Sequence, residues 1–129
     1  MTEAQLALRR EIFEAFAATG APPELADSRD LRALAERHVV VLNADGRVVM
    51  AHPFAAHTDG ACVDAGGRTW WGNCAWDAFG IVHALGLADA TVTAQGVAVR
   101  TTDGVPEETD AVFDVAVPAA HWWDDIAHT

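Results

Sequence analysis

Apolar positions near the start of the chain recur at helical spacing and follow a helix-initiation signal. Thr2 and Gln5 have the Thr-x-x-Gln spacing of a capping box. The apolar residues behind them lie three to four positions apart, which is typical of one face of a helix. The pattern predicts a helix over Glu3–Thr19, stopped by Gly20 and a pair of prolines.

The next segments predict two shorter helices and a β-hairpin. We expect a short helix after Pro23 and a third helix that is capped by Ser28 and ends near Arg37. Two apolar, valine-rich runs, 39–42 and 47–50, flank an Asn-Ala-Asp-Gly turn and predict antiparallel strands. Helices followed by a hairpin resemble a winged helix, which either reads DNA or serves as a packing scaffold. Acidic residues offset the arginines of the third helix and favour the scaffold.

A second hairpin follows an irregular segment at 55–60. Residues 61–65 and 68–71 flank Gly66-Gly67, a strong signal for a two-residue turn. In that register Cys62 lies opposite Trp71, on one face of the hairpin.

The rest of the chain predicts a helix over 73–87 and a last helix from Pro118 to about Ala127. Strands are expected between them, at 90–94, 97–101 and 111–117. The fold class is therefore α+β. A helical, winged-helix-like part over 1–54 precedes a small mixed or antiparallel sheet with packed helices over 55–129, and together they are expected to form one compact unit.

Length and charge exclude several functions. The 129 residues carry 19 acidic and 8 basic side chains and a net charge of −11, and none of the basic residues is lysine. Nucleic-acid binding depends on cationic side chains that replace counterions, so no nucleic-acid partner is expected. No apolar run approaches the ~18 residues of a membrane span, and no signal peptide is recognised, so we expect a cytoplasmic protein without a membrane partner. These numbers set no oligomeric state.

Two cysteines, Cys62 and Cys74, are expected to be thiols in a reducing compartment. With His52 and His57 they could form a zinc site, but their spacing matches no tight pair of zinc ligands. We therefore expect no resident cofactor.

The segment around Cys74 carries the candidate chemistry. A helix that starts near Asn73 places Cys74 in its first turn, where backbone N–H groups and the helix dipole stabilise a thiolate. Asp77, three residues on, shares a face with the sulfur, so a nucleophile and a proton carrier are adjacent. Aromatic neighbours could line a pocket, desolvate Asp77 and raise its pKa: Trp70, Trp71, Trp76 and Phe79. The structural alternative is a small core cysteine beside a dipole-stabilised aspartate.

The segment 68–78, Arg-Thr-Trp-Trp-Gly-Asn-Cys-Ala-Trp-Asp-Ala, resembles the active-site segment of the organomercurial (alkylmercury) lyases. In that family an aromatic-rich strand leads into Cys-Ala-x-Asp at a helix start. The chain is most similar to short lyase-like proteins of actinobacteria, through His-Pro-Phe at 52–54 and Trp-Trp-Asp-Asp at 122–125.

The resemblance implies protonolysis of a carbon–mercury bond. Cys74 matches the family's first cysteine, which holds mercury transiently, and Asp77 matches its proton donor. The chemistry fits, because Hg(II) prefers thiolate sulfur and the departing carbon needs a proton. The implied partner is a small organomercurial or another thiophilic ligand. The alternatives are a relative that binds a soft metal or thiophilic ligand through Cys74 without turnover, or a structural or regulatory domain.

The family's second cysteine has no counterpart in this sequence. It is expected about a dozen residues beyond the Val-Pro that opens the last helix, whereas Val117-Pro118 is followed by eleven residues without a cysteine. Cys62 is the candidate for a second thiol; the alternative is that it fills the core.

Overall fold

The computed structural model describes residues 1–126. Three α-helices lie in this part of the chain: α1 (Glu3–Thr19), α2 (Arg29–Glu36) and α3 (Ala75–Ala84). The strands are β1 (Val41–Leu42), β2 (Val48–Ala51), β3 (Phe54–Ala55), β4 (Ala61–Ala65), β5 (Arg68–Gly72), β6 (Asp89–Ala94), β7 (Val97–Thr102) and β8 (Val105–Pro106). A 3₁₀ helix, Ala119–Asp124, follows them.

Capping explains the ends of the first two helices. The Thr2 hydroxyl accepts from the Gln5 backbone N–H, and the Gln5 side chain accepts from the Thr2 backbone N–H, so both halves of the capping box form. Gly20 ends α1 with a φ of 74°, a conformation that glycine adopts without a Cβ penalty. The Ser28 hydroxyl caps α2 at the backbone N–H of Leu31.

The expected short helix after Pro23 is wrong. Residues 22–28 have no regular structure, because only four residues separate Pro23 from the Ser28 cap and a helix needs more than one turn to be stable. This part of the chain therefore holds two helices and the antiparallel sheet β1-β2-β3. Strand β3 occupies the start of the segment that we expected to be irregular, and the winged-helix interpretation stays a prediction.

The second sheet has the order β5-β4-β6-β7-β8, and all of its pairs are antiparallel. The predicted hairpin register is confirmed, since Cys62 lies opposite Trp71 and Ala65 opposite Arg68. Alternation sends Ala61 and Val63 to the buried face, leaving Cys62 on the other.

One hydrophobic core joins the two halves of the chain. It includes Ile12 and Phe16 of α1, Val63 of β4, Trp70 of β5 and Ile81 of α3, all at most 4% exposed. Helix α3 packs against β4 and β5 on the buried face of the sheet. The core thereby fixes the start of α3 relative to the end of β5.

Three predicted elements differ from the structure. Helix α3 is shorter than 73–87 at both ends. Residues 111–117 form no strand, because they pair with no sheet edge and side chains such as Val112 remain exposed. The last helix is a 3₁₀ helix after Pro118, and Ala127 lies outside the described residues.

Candidate functional site

Cys74 lies in the short connection between the end of β5 and the start of α3. It is the N-cap residue of α3, with extended backbone angles, rather than a first-turn residue as predicted. Gly72 permits the tight connection, since a Cβ at this position would lie 2.9 Å from the Ala78 backbone nitrogen and 2.9 Å from Asp77 Cβ. The first turn of α3 therefore packs directly on the strand backbone.

The Cys74 sulfur faces the Asp77 carboxyl group. Cys74 Sγ lies 3.7 Å from Asp77 Oδ2, close enough for a weak S–H···O hydrogen bond. Burial raises the pKa of the Cys74 thiol, the negative charge of Asp77 raises it further, and backbone N–H groups of Asp77 and Trp76 oppose the shift. The backbone N–H groups at the helix N-terminus favour the thiolate, as expected, but desolvation outweighs them and the net shift of the Cys74 pKa is upward. The sulfur rests as a thiol that can donate to the carboxylate.

His52 approaches the same carboxyl oxygen from the turn between β2 and β3. Its Nδ1 lies 3.8 Å from Asp77 Oδ2, and the two side chains are 28% and 15% exposed. The next residue, Pro53, packs on α3 at Gly80, where an added Cβ would lie 3.2 Å from Pro53 Cβ. The sequence indicated His52 as a possible zinc ligand and as part of the His-Pro-Phe resemblance, and neither pattern indicates its approach to Asp77.

Three contacts attach the C-terminal segment near the site. The Trp123 ring stacks on His38 with a centroid distance of 4.0 Å, and its edge-to-face contact with His52 measures 5.6 Å. Asn73, which precedes Cys74, donates from Nδ2 to the Ile126 carbonyl at 2.9 Å. The segment thus contacts both His52 and the start of α3.

The structure does not bring the three tryptophans proposed as pocket-lining together. Trp70 faces the core and donates from Nε1 to the Ala17 carbonyl at 3.1 Å. Trp71 is half-buried and lies on the opposite face of β5. Trp76 is 69% exposed and contacts Phe113.

Cys62 lies away from α3. Its side chain is on the sheet face opposite the core, with Sγ 3.9 Å from Asp64 Oδ2. Both Cys62 and Cys74 are free thiols. The hairpin register pairs Cys62 with Trp71, but it does not bring Cys62 to the face on which α3 packs.

Other sites in the described chain lack this chemistry. Residues 1–126 contain no group of three or more His, Cys, Asp or Glu side chains arranged to hold a metal ion. The zinc site considered from the sequence therefore does not form there. A cleft of about 500 Å³ is lined by α1, α2 and the segment before α2; its charged side chains have both signs and it contains no cysteine. Across residues 1–126, every helix is too short or too polar to cross a bilayer.

Comparison with known proteins identifies the family. The family model of MerB, alkylmercury lyase, matches residues 54–129. A solved structure, "Crystal structure of the mercury-bound form of MerB2", has a similar fold, with a TM-score of 0.60 and 20% identity. The similarity covers 85% of this chain and 61% of that one, so this chain spans less than two thirds of its length. No curated protein matches. The α+β prediction is confirmed, and the chain belongs to the alkylmercury lyase family.

Proposed function

We propose that this protein cleaves the carbon–mercury bond of organomercurials by protonolysis, with Cys74 as the mercury ligand and Asp77 as the proton donor. The observation that carries the proposal is the 3.7 Å distance between Cys74 Sγ and Asp77 Oδ2. Membership of the alkylmercury lyase family supports it, as does the fold shared with a protein that was crystallised with mercury bound.

In the first step the sulfur binds the metal. The raised pKa of Cys74 keeps it protonated, so the thiol must lose its proton as the sulfur–mercury bond forms. The Asp77 carboxylate is the acceptor that faces the sulfur. The mercury exchanges its previous thiolate or halide ligand for Cys74, that ligand departs as an anion, and Asp77 becomes a carboxylic acid.

In the second step Asp77 gives up the same proton. The carbon–mercury bond breaks, its electron pair takes the proton, and a hydrocarbon leaves. Asp77 returns to the carboxylate, and Hg(II) stays on Cys74 until small thiols in solution displace it. One proton is consumed for each bond cleaved.

The test uses methylmercury or phenylmercury with an excess of a small thiol, and gas chromatography of the methane or benzene released. Cys74→Ser is expected to abolish release, and Asp77→Asn to slow it by roughly 10²–10⁴-fold, the usual contribution of a positioned acid. Cys62→Ser is the matched control and is expected to keep wild-type rates, because its side chain lies on the other face of the sheet. Hydrocarbon release that survives in Cys74→Ser would contradict the proposal.

The position of Cys62 favours a second candidate, a protein that binds mercury without cleaving the carbon bond. Within residues 1–126, Cys74 is the thiol that packs beside Asp77, whereas Cys62 lies on the opposite face of the sheet. A single thiolate binds soft metals but provides one sulfur ligand rather than two. Stoichiometric mercury uptake with no hydrocarbon release would select this function.

A further inference from the structure

His52 has a position that the two-residue mechanism leaves unexplained. It reaches the carboxyl oxygen that also faces the thiol: Asp77 Oδ2 is 3.7 Å from Cys74 Sγ and 3.8 Å from His52 Nδ1. Its other ring nitrogen, Nε2, is buried and has no hydrogen-bond partner among the described residues. Of the two ring nitrogens, Nδ1 is therefore the one with a polar neighbour, and that neighbour is Asp77.

We propose that His52 is a positioning residue for carbon–mercury cleavage, and that its Nδ1 holds Asp77 Oδ2 against the Cys74 sulfur. This role rests on the proposed function. It assigns His52 a part in orienting the proton donor and none in binding mercury.

Packing on both sides fixes the imidazole ring. Pro53 contacts α3 at Gly80, which lies three residues after Asp77, and this contact brings the turn between β2 and β3 against the helix face that carries the carboxyl group. On the other side the ring meets the uncharged indole of Trp123, which is stacked on His38. The ring position is thus set independently of Asp77, so the ring can orient the carboxyl group.

Orientation matters because the carboxyl group must face two atoms in turn. It first accepts the thiol proton and then presents that proton to the carbon on mercury. A carboxyl group that rotates about its side-chain bonds would leave the sulfur, and a misplacement of about 1 Å can cost roughly 10²-fold in rate. Nδ1 of His52 contacts the same oxygen that faces the thiol, and this contact opposes the rotation.

The test compares His52→Leu with wild type in a single turnover under excess enzyme. We expect hydrocarbon release to slow by roughly 10²-fold. Mercury capture by Cys74, monitored as loss of the free thiol in a Cys62→Ser background, is expected to stay within about twofold. His83→Leu is the matched control, because His83 is an exposed histidine of α3 that contacts neither Asp77 nor Cys74 in the structure. Thermal unfolding of both variants verifies the fold. Unchanged release in His52→Leu would overturn the proposal.

His52→Asn separates positioning from bulk packing. The asparagine amide nitrogen can occupy the place of Nδ1, so this variant is expected to recover most of the rate lost in His52→Leu. If the asparagine variant is as slow as the leucine variant, the contact through Nδ1 is not what orients Asp77 and the proposal fails.

The contact between His52 and Asp77 can also be tested without substrate. This measurement applies even if wild type releases no hydrocarbon and the proposed function has failed. In a Cys62→Ser background, thiolate absorbance titrates Cys74 alone. If the carboxylate turns away in His52→Leu, its charge no longer raises the pKa of Cys74, and that pKa falls; His52→Asn keeps the wild-type value. An unchanged or higher pKa in His52→Leu therefore overturns the proposal.

Discussion

Gly72→Ala tests whether the close contact between β5 and α3 sets the geometry of the site. The new Cβ would lie 2.9 Å from the Ala78 nitrogen and 2.9 Å from Asp77 Cβ, whereas non-bonded carbon atoms prefer about 3.5–4.0 Å. The first turn of α3 must therefore retreat by roughly 0.6 Å or more. Because one of the two clashing atoms belongs to the helix backbone, a rotamer change cannot relieve it.

Two effects of different size should follow. Overpacking of this kind costs about 1–3 kcal/mol in the free energy of unfolding. For a chain of this length, that lowers Tm by about 3–5 °C per kcal/mol. The retreat also moves the Asp77 carboxyl group relative to the Cys74 sulfur, and we expect hydrocarbon release to slow roughly tenfold, given about 10²-fold per ångström of misplacement.

Circular dichroism during thermal and urea unfolding measures the first effect, and gas chromatography of the hydrocarbon measures the second. Gly80→Ala is the control for stability. Its Cβ would lie 3.2 Å from a side-chain atom of Pro53, which must shift slightly, and up to ~1 kcal/mol of helix propensity offsets that cost, so a smaller loss of stability than in Gly72→Ala is expected. If Gly72→Ala unfolds within about 0.5 kcal/mol of wild type, as a neutral surface change would, the strand–helix contact does not require glycine and the reasoning is refuted.

Three further predictions concern the surroundings of the thiol. Trp70→Phe removes the hydrogen bond to the Ala17 carbonyl and should cost about 1 kcal/mol in urea unfolding without changing mercury capture; a neutral result would contradict the bond. Because the pKa of Cys74 is raised, its alkylation by iodoacetamide should be slow at pH 7 and accelerate only above the ordinary thiol range, and Asp77→Asn should shift that rise to lower pH. Asn73→Ala weakens the attachment of the C-terminal segment, and limited proteolysis should then cut that segment faster than in wild type.

Local patterns predicted the elements that position Cys74. The two-residue turn at Gly66-Gly67 fixes the hairpin register, which the structure confirms from Ala61 to Gly72. Capping residues likewise predicted both ends of α1 and the start of α2. These features depend on neighbours within a few residues, so the sequence alone contains the necessary information.

Features that depend on distant residues could not be predicted. His52 meets Asp77 only because the turn between β2 and β3 packs on α3, a contact between segments 25 residues apart. The net direction of the Cys74 pKa could not be predicted, because burial, a property of the whole fold, outweighs the local N–H groups. The valines of 111–117 have strand propensity, but no edge receives them in the tertiary structure.

The bond from Asn73 to the Ile126 carbonyl has a practical consequence for handling the protein. Three residues follow Ile126 in the sequence, and even fully extended they span at most ~11 Å. An affinity tag fused after Thr129 would therefore begin within that distance of Ile126, which is bonded to the residue before the thiol. A polyhistidine tag there would add imidazole nitrogens, which are metal ligands, close to the thiol. Fusion at Met1, which is 46% exposed at the start of α1, keeps the attachment point on a different element.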